Sequence, residues 1–377
     1  MELSSEDSFR LNVLLANRPL AIRIDEARMI VYGLSEKGDA KVPLNPMGRP
    51  DQYVRKVREL ISGHILGSPG GYPIYLRRWT RMGQMRDESL EQLLMLGEPE
   101  AVIAAVCSPG LTDELARRAW WAMEDAENAR RMLANPAIVA GQMGKLLANY
   151  LVEYLPFETD TEKMTESVRL VLQVGLISDS ERLDLWKKSA RKQAYLLGFL
   201  QAVPDDLPEP EPARADAQMY GGLLSELADL GNPCATLLMR VHSSSGQTFL
   251  KAVSAVIAKP PTQDVVSTAL DVLRGYFAPL RPEGDPDQTI EELLAGAVVF
   301  VDPSRQPHTA GAGACLAAEP ALAGDIAAMR ALSGAGYGVL RPVLGDSTAI
   351  GSLMRRKLAP VLDPLLREIG TLRGKRS

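Results

Sequence analysis

Residues 67–86, GSPGGYPIYLRRWTRMGQMR, set the rings of Tyr72, Tyr75 and Trp79 among the guanidiniums of Arg77, Arg78, Arg81 and Arg86. Arginine forks grip phosphates while aromatic faces stack on bases, so this pairing suits single-stranded RNA. Gly67, Gly70 and Gly71 lack a Cβ and let backbone approach a ligand closely. The same composition also fits an irregular loop whose rings plug a protein contact while its arginines pair with carboxylates. Charge is unevenly spread. Residues 49–86 carry a net +6 and residues 355–377 a net +5, so the rest of a chain of formal charge −5 carries −16. Two basic regions on an acidic body point to an anionic partner. The second of them, Arg355-Arg356-Lys357 with the tail Arg373 to Arg376, is the less specific, because cations near a helix C-terminus meet its dipole and a basic tail is ordinarily solvated.

Other chemistry fails on spacing. His64, His242 and His308 are far apart, no HExxH or CxxC occurs, and each cysteine stands alone, so neither a metal nor a cofactor is expected. Gly141, Gly144 and Lys145 echo a phosphate loop, yet Val139 stands where its first glycine belongs and Leu146 where its hydroxyl belongs. Those glycines read as helix packing. Gly334, Gly336 and Gly338 follow a helix rather than a strand and lack a βαβ setting. Asp302, His308 and Cys315 could bring a carboxylate, a base and a thiol into one neighbourhood, but a loop histidine and an inert buried cysteine explain the same residues. No catalytic residue is therefore expected. Cys107 follows an apolar helix and reads as core, whereas Cys234 lies near a helix start whose dipole would lower its pKa. Trp120 and Trp121 read as a wedge between neighbouring helices.

These residues need elements to hold them. Ile22 and Ile24 alternate with Arg23 and Asp25, MIVYGL follows at 29–34, and a charged turn at 36–39 leads to Lys41-Val42-Pro43-Leu44. This predicts a small antiparallel meander with Pro43 on an edge strand, since proline cannot donate to a ladder. Tyr53, Val54, Val57, Leu60 and Ile61 share one side of a helix over 50–62. Residues 87–202 read as successive short helices, with capping boxes expected at Ser89/Gln92, Thr159/Glu162 and Ser178/Glu181 and prolines between them. Residues 203–216, VPDDLPEPEPARAD, read as a Pro/acidic linker. Residues 217–377 are again mainly helical, with Ala297–Val301 open to either a buried strand or the end of a helix. The expected fold is mainly α: a small α+β region (1–86), a helical array or α-solenoid-like part (87–202), and a helical C-terminal domain (217–377).

The chain has 377 residues, 46% apolar and 24% charged, which is a globular composition and excludes collagen, a rod or wholesale disorder. Three cysteines cannot form a disulfide framework and fit a reducing compartment. Glu2, Glu6 and Asp7 occupy the place of a secretory signal's basic start, and the apolar run Leu293–Val301 is far short of the roughly 20 residues that span a bilayer. A cytoplasmic protein with no membrane partner is expected.

Several longer phrases carry a family resemblance: AIRIDEARMIVYGLSEKGDAKVPLNP at 21–46, ELISGHILGSPGGYPIYLRRWTRMGQ at 59–84, ESLEQLLMLGEPEAV at 88–102, LTDELARRAWWAMEDAENARRML at 111–133 and YLVEYLPFE at 150–158. Over roughly residues 1–210 the chain resembles the DsrS family, cytoplasmic proteins encoded with the reverse dissimilatory sulfite reductase genes of sulfur-oxidising bacteria. The resemblance implies a non-enzymatic accessory or regulatory factor of sulfur oxidation, without a cofactor or a small-molecule substrate, acting on expression after transcription. No residue role carries over from the family; the Arg-aromatic segment itself, through Tyr72, Tyr75, Arg77, Arg78, Trp79, Arg81 and Arg86, points to RNA as a partner, and the helical array to sulfur-oxidation proteins bound along a scaffold. A thiol-based sulfur carrier is the third reading.

Overall fold

The computed structural model describes residues 2–46, 48–73, 87–281, 288–302, 304, 311–345 and 349–375. It is 67% helical, with 20 helices among the described residues and one small antiparallel sheet near the N-terminus. Two compact units emerge: residues 1–157 with 173–177, and residues 158–172 with 178–377.

In the first unit, β1 (Ala21–Asp25), β2 (Ile30–Ser35) and β3 (Gly38–Pro43) form a meander in the order β1-β2-β3. The register sets Arg23 opposite Tyr32 and Tyr32 opposite Lys41. Both cations lie over the Tyr32 ring, Arg23 at 4.8 Å and Lys41 at 5.6 Å from its centroid. The alternate residues Ile22, Val31 and Val42 turn to the other face and join a core with Leu11, Leu14 and Leu15 of the Ser5–Ala16 helix and Tyr53, Val57 and Ile61 of the Pro50–Leu66 helix. Gly33 is needed here, because a Cβ would come within 2.7 Å of Leu14. Burying each aliphatic side chain of this cluster contributes about 1.5–3 kcal/mol. One polar link crosses the core: the fully buried Asp7 carboxylate accepts from the Tyr53 hydroxyl at 2.5 Å and the Asn45 amide at 2.7 Å. Pro50 opens the second helix and Gly67, at φ 66°, closes it in the left-handed conformation.

The helices from Asp87 to Tyr154 pack as short segments, and their ends are chosen by local chemistry. The Asp113–Ala122 helix starts at Thr112, whose side chain accepts from the Leu115 amide. Asp113 then caps a different helix, accepting from the Gln142 and Met143 amides at 3.0 Å each. That contact leaves no room for a side chain at Gly141, where a Cβ would lie 2.1 Å from Asp113. A Cβ at Gly144 would likewise lie 2.6 Å from the Val139 carbonyl, so the glycines that echo a phosphate loop serve close packing.

In the second unit the Thr161–Val171 and Gln193–Ala202 helices pair closely, and Gly198 permits it, since a Cβ there would lie 2.6 Å from Val168. The cap of the first is Asp160 rather than Thr159, with Asp160 accepting from the Glu162 and Lys163 amides. Ser178 and Glu181 form the expected reciprocal capping box. The side chains of the Ser89/Gln92 pair's first residue fall outside the described set. Residues 297–300 continue a helix, Ile290–Phe300, which Thr289 and Glu292 open with a second capping box. The Pro/acidic segment 203–216 carries no helix or strand, yet it lies inside this unit and is fastened along its length. Leu207 is buried, the Glu211 amide donates to the Thr248 hydroxyl at 2.8 Å, and the Arg214 amide donates to the His242 carbonyl at 2.9 Å. The division into units therefore falls near Phe157 and not at the segment expected to be a linker.

Candidate functional site

Of the residues expected to contact nucleic acid, Tyr72 is described, and Tyr75, Arg77, Arg78, Trp79, Arg81 and Arg86 lie outside the described residues. The turn that presents Tyr72 is tightly built. Ser62, almost fully buried, donates to the Ser68 carbonyl and accepts from the Gly71 amide, both at 2.7 Å. Gly71 sits at φ +60°, and a Cβ there would run into Glu98, whose carboxylate accepts from the Tyr72 amide at 3.1 Å. Tyr72 is half-buried beside a cavity of about 470 Å³ that also exposes Arg55, Arg58, Glu59 and Glu100. Burial, with Cys107 and Glu100 nearby, pushes the Tyr72 phenol up. Arg58 pairs with Glu26 at 2.6 Å, and its buried Nε has no hydrogen-bond partner among the described residues. Lys56 and Arg55 flank Glu59 and hold its carboxyl below the usual range, the Lys56 hydrogen bond outweighing partial burial. The cavity thus offers an aromatic face and two guanidiniums among three carboxylates.

The thiols depart from expectation. Cys107 is exposed: the Pro99–Val106 helix turns Ala101, Val102, Ala105 and Val106 inward, and Cys107 follows as the C-cap beyond that face. Cys234 is fully buried, and its thiol is pushed up, first by its hydrogen bond to Cys315 and then by burial. Desolvation and the neighbouring sulfur outweigh any lowering by the helix terminus. Of the Asp302, His308 and Cys315 group, Asp302 accepts from the Ser304 amide and hydroxyl at 2.9 and 2.7 Å, His308 is outside the described residues, and Cys315 meets Asn232 and Cys234.

Trp120 is buried and packs edge-on against Tyr150, 4.8 Å between centroids, as a helix wedge should. Trp121 instead faces the sheet, donating to Asp39 at 3.2 Å and lying 5.0 Å from the Arg23 guanidinium. Among the described residues no group of three or more His, Cys, Asp and Glu is placed to hold a metal ion, and no helix is long and apolar enough to cross a membrane. Arg373 of the basic tail lies 3.6 Å from Glu211, and Arg355 donates to the Pro260 carbonyl at 3.4 Å.

Two constellations in the second unit were not visible in the sequence. Arg214 and His242 converge on the Asp325 carboxylate, at 2.7 and 3.0 Å, with all three side chains at most 10% exposed. Arg240 lies 3.7 Å over Tyr276, which stacks on Phe249 at 3.9 Å, along a cavity of about 420 Å³. Asp205 accepts both arms of Arg240, at 2.7 and 2.6 Å. Burial pushes the Tyr276 phenol well up, so this stack is an un-ionised ring clamped under a neutralised guanidinium. No protein-family model matches the chain, and no curated protein or solved structure matches it either.

Proposed function

We infer that this protein is a non-enzymatic, cytoplasmic accessory factor of bacterial sulfur oxidation, of the DsrS kind, which acts after transcription by binding RNA. The observation that carries the RNA part is the Gly67–Gly71 turn. It is fixed by Ser62 and Glu98 and delivers Tyr72 to the surface beside Arg55 and Arg58, at the start of the Arg-aromatic segment. Glu59, Glu98 and Glu100 share that wall, so the positive charge that holds phosphates has to come from Arg77, Arg78, Arg81 and Arg86. The test is a salt series of single-stranded RNA binding with the full chain and with the Arg77→Ala/Arg78→Ala/Arg81→Ala variant. Loss of three phosphate contacts flattens the slope of log affinity against log salt by about 2. An unchanged affinity and slope removes the site.

A protein-binding scaffold is the second reading, and one observation favours it. Tyr150 stacks with Tyr154 at 6.1 Å, Tyr154 meets Phe157 at 6.5 Å, and Phe157 is 76% exposed, so an aromatic run leads from the interior to the surface of the first unit. Aromatic side chains of this kind anchor protein interfaces. This reading expects a sulfur-oxidation protein that co-purifies despite RNase and is lost in the Tyr154→Ala/Phe157→Ala variant. A sulfur carrier would have to use Cys107, the exposed member of the three cysteines.

A further inference from the structure

Cys234 is the second residue of the Pro233–His242 helix, and Cys315 lies in the Ala312–Ala318 helix. One side chain holds both backbones in place. Asn232 Oδ1 accepts from the Cys234 and Ala235 amides at 3.0 and 3.1 Å and from the Cys315 thiol at 3.9 Å, while its Nδ2 donates to the Gly311 carbonyl at 2.9 Å. Gly311, at φ +74°, leaves the space that Asn232 fills, for a Cβ there would lie 2.3 Å from its oxygen. The Cys234 and Cys315 thiols are close enough to shift each other's ionisation, and both residues are 0% exposed. Two buried thiols that meet at one asparagine have to approach each other to reach a bond length of about 2.05 Å. Packing alone explains one buried cysteine; it does not require two from distant segments to meet at a shared asparagine.

We propose that Cys234 and Cys315 are a redox pair that a hydroperoxide converts to a reversible disulfide, tying the start of the Pro233–His242 helix to the Ala312–Ala318 helix. The Cys315 sulfur attacks one peroxide oxygen; the S–O bond forms, the O–O bond breaks, and the leaving oxygen takes up the thiol proton to depart as water or alcohol. Cys234 then attacks the Cys315 sulfenic acid; the S–S bond forms, the S–O bond breaks, and the hydroxide leaves as water with the Cys234 proton. Two thiols lose two electrons and two protons in all, and the peroxide bond receives them. Cys315 is the first to react because the Cys234 hydrogen bond holds its thiol below the usual range while Cys234 is pushed up. Burial makes the first step slow, gated by local opening, and the adjacent thiol makes the second fast, so oxidation stops at the disulfide. A reversible disulfide of this type suits a chain of a reducing compartment as a sensor rather than a staple.

The reduced full-length chain is treated with hydrogen peroxide, quenched by alkylation under denaturing conditions, and mapped by non-reducing peptide mass spectrometry. The expected result is loss of two of three thiols, a mass lower by two hydrogens, a linked Cys234–Cys315 peptide, and full reversal by dithiothreitol. The Cys107→Ser variant, which leaves the pair intact, loses both remaining thiols at the same rate. Oxidation confined to Cys107, or sulfinic acid at Cys315 with no linked peptide, overturns the proposal.

Discussion

Replacing Asp325 with asparagine tests whether the Arg214–His242–Asp325 cluster is a structural charge centre of the second unit. The substitution keeps the size of the side chain and removes its charge. Asp325 Oδ2 accepts from Arg214 Nη2 at 2.7 Å and His242 Nε2 at 3.0 Å, and the Arg214 and His242 side chains are 7% and 3% exposed. Uncovering a buried partner of this kind costs about 3–5 kcal/mol. Asp216, 43% exposed, still grips Arg214 at 2.5 and 3.1 Å and offsets part of the loss, so the expected cost is near the lower end, about 3 kcal/mol. The pH dependence has a definite sign. Burial alone would raise the Asp325 pKa, but the hydrogen bonds from His242 and Arg214 outweigh it and the net shift is downward. Its contribution is therefore complete above the ordinary aspartate range near about 4 and disappears as pH falls through the depressed folded value. Urea unfolding from pH 3 to pH 7, fitted with a separate transition for each unit, reads both effects. The Asn variant loses stability at pH 7 and becomes less sensitive to acid. A cost below about 1 kcal/mol, or acid sensitivity equal to that of the parent, would refute a dry and mutually dependent cluster.

Gly141→Ala drives a methyl into Asp113 and disturbs the cap on the Gln142–Tyr154 helix, with an expected loss of about 1–3 kcal/mol in thermal or urea unfolding. Ser178→Ala removes the capping box of the Asp179–Ser189 helix and costs about 1 kcal/mol, whereas Thr159→Ala, one residue before the Asp160 cap, costs less than half of that. Glu114, bonded to Arg117 and Arg118, titrates at about 2, which side-chain carbon NMR reads directly. Its stabilising effect is present above the ordinary glutamate value and lost as pH falls through about 2; since Glu114 is half-exposed, Glu114→Gln costs under about 1 kcal/mol.

Local patterning made the meander and the helix around Tyr53 readable, because alternation of Ile22 with Arg23 and the spacing of Tyr53, Val57 and Ile61 each encode one buried face. The same logic failed one residue past its range: Cys107 continues an apolar run, but the helix ends at Val106 and the next side chain leaves the buried face. Thr159 and Asp160 are both good caps, and only the path of the chain into the Thr161–Val171 helix selects the second. Ala297–Val301 has strand-like composition, yet the Thr289/Glu292 box sets a helix that propagates as far as Phe300 and is capped at Val301. The buried constellations had no local signal. Arg214 sits in a segment whose composition says linker, and His242 and Asp325 are ordinary residues until tertiary packing brings them to one carboxylate. Cys234 and Cys315 looked like single thiols for the same reason, since only the fold makes Asn232 their common neighbour.

The most direct test of the RNA-linked function is recovery of the tagged protein from crosslinked cells growing on reduced sulfur, with and without RNase, followed by identification of everything retained. The account predicts enrichment of transcripts of sulfur-oxidation genes, crosslinked within residues 72–86 and lost in the Arg77→Ala/Arg78→Ala/Arg81→Ala variant. Retention of sulfur-oxidation proteins without RNA above background, unchanged by RNase, would contradict it and assign the activity to the helical surface instead.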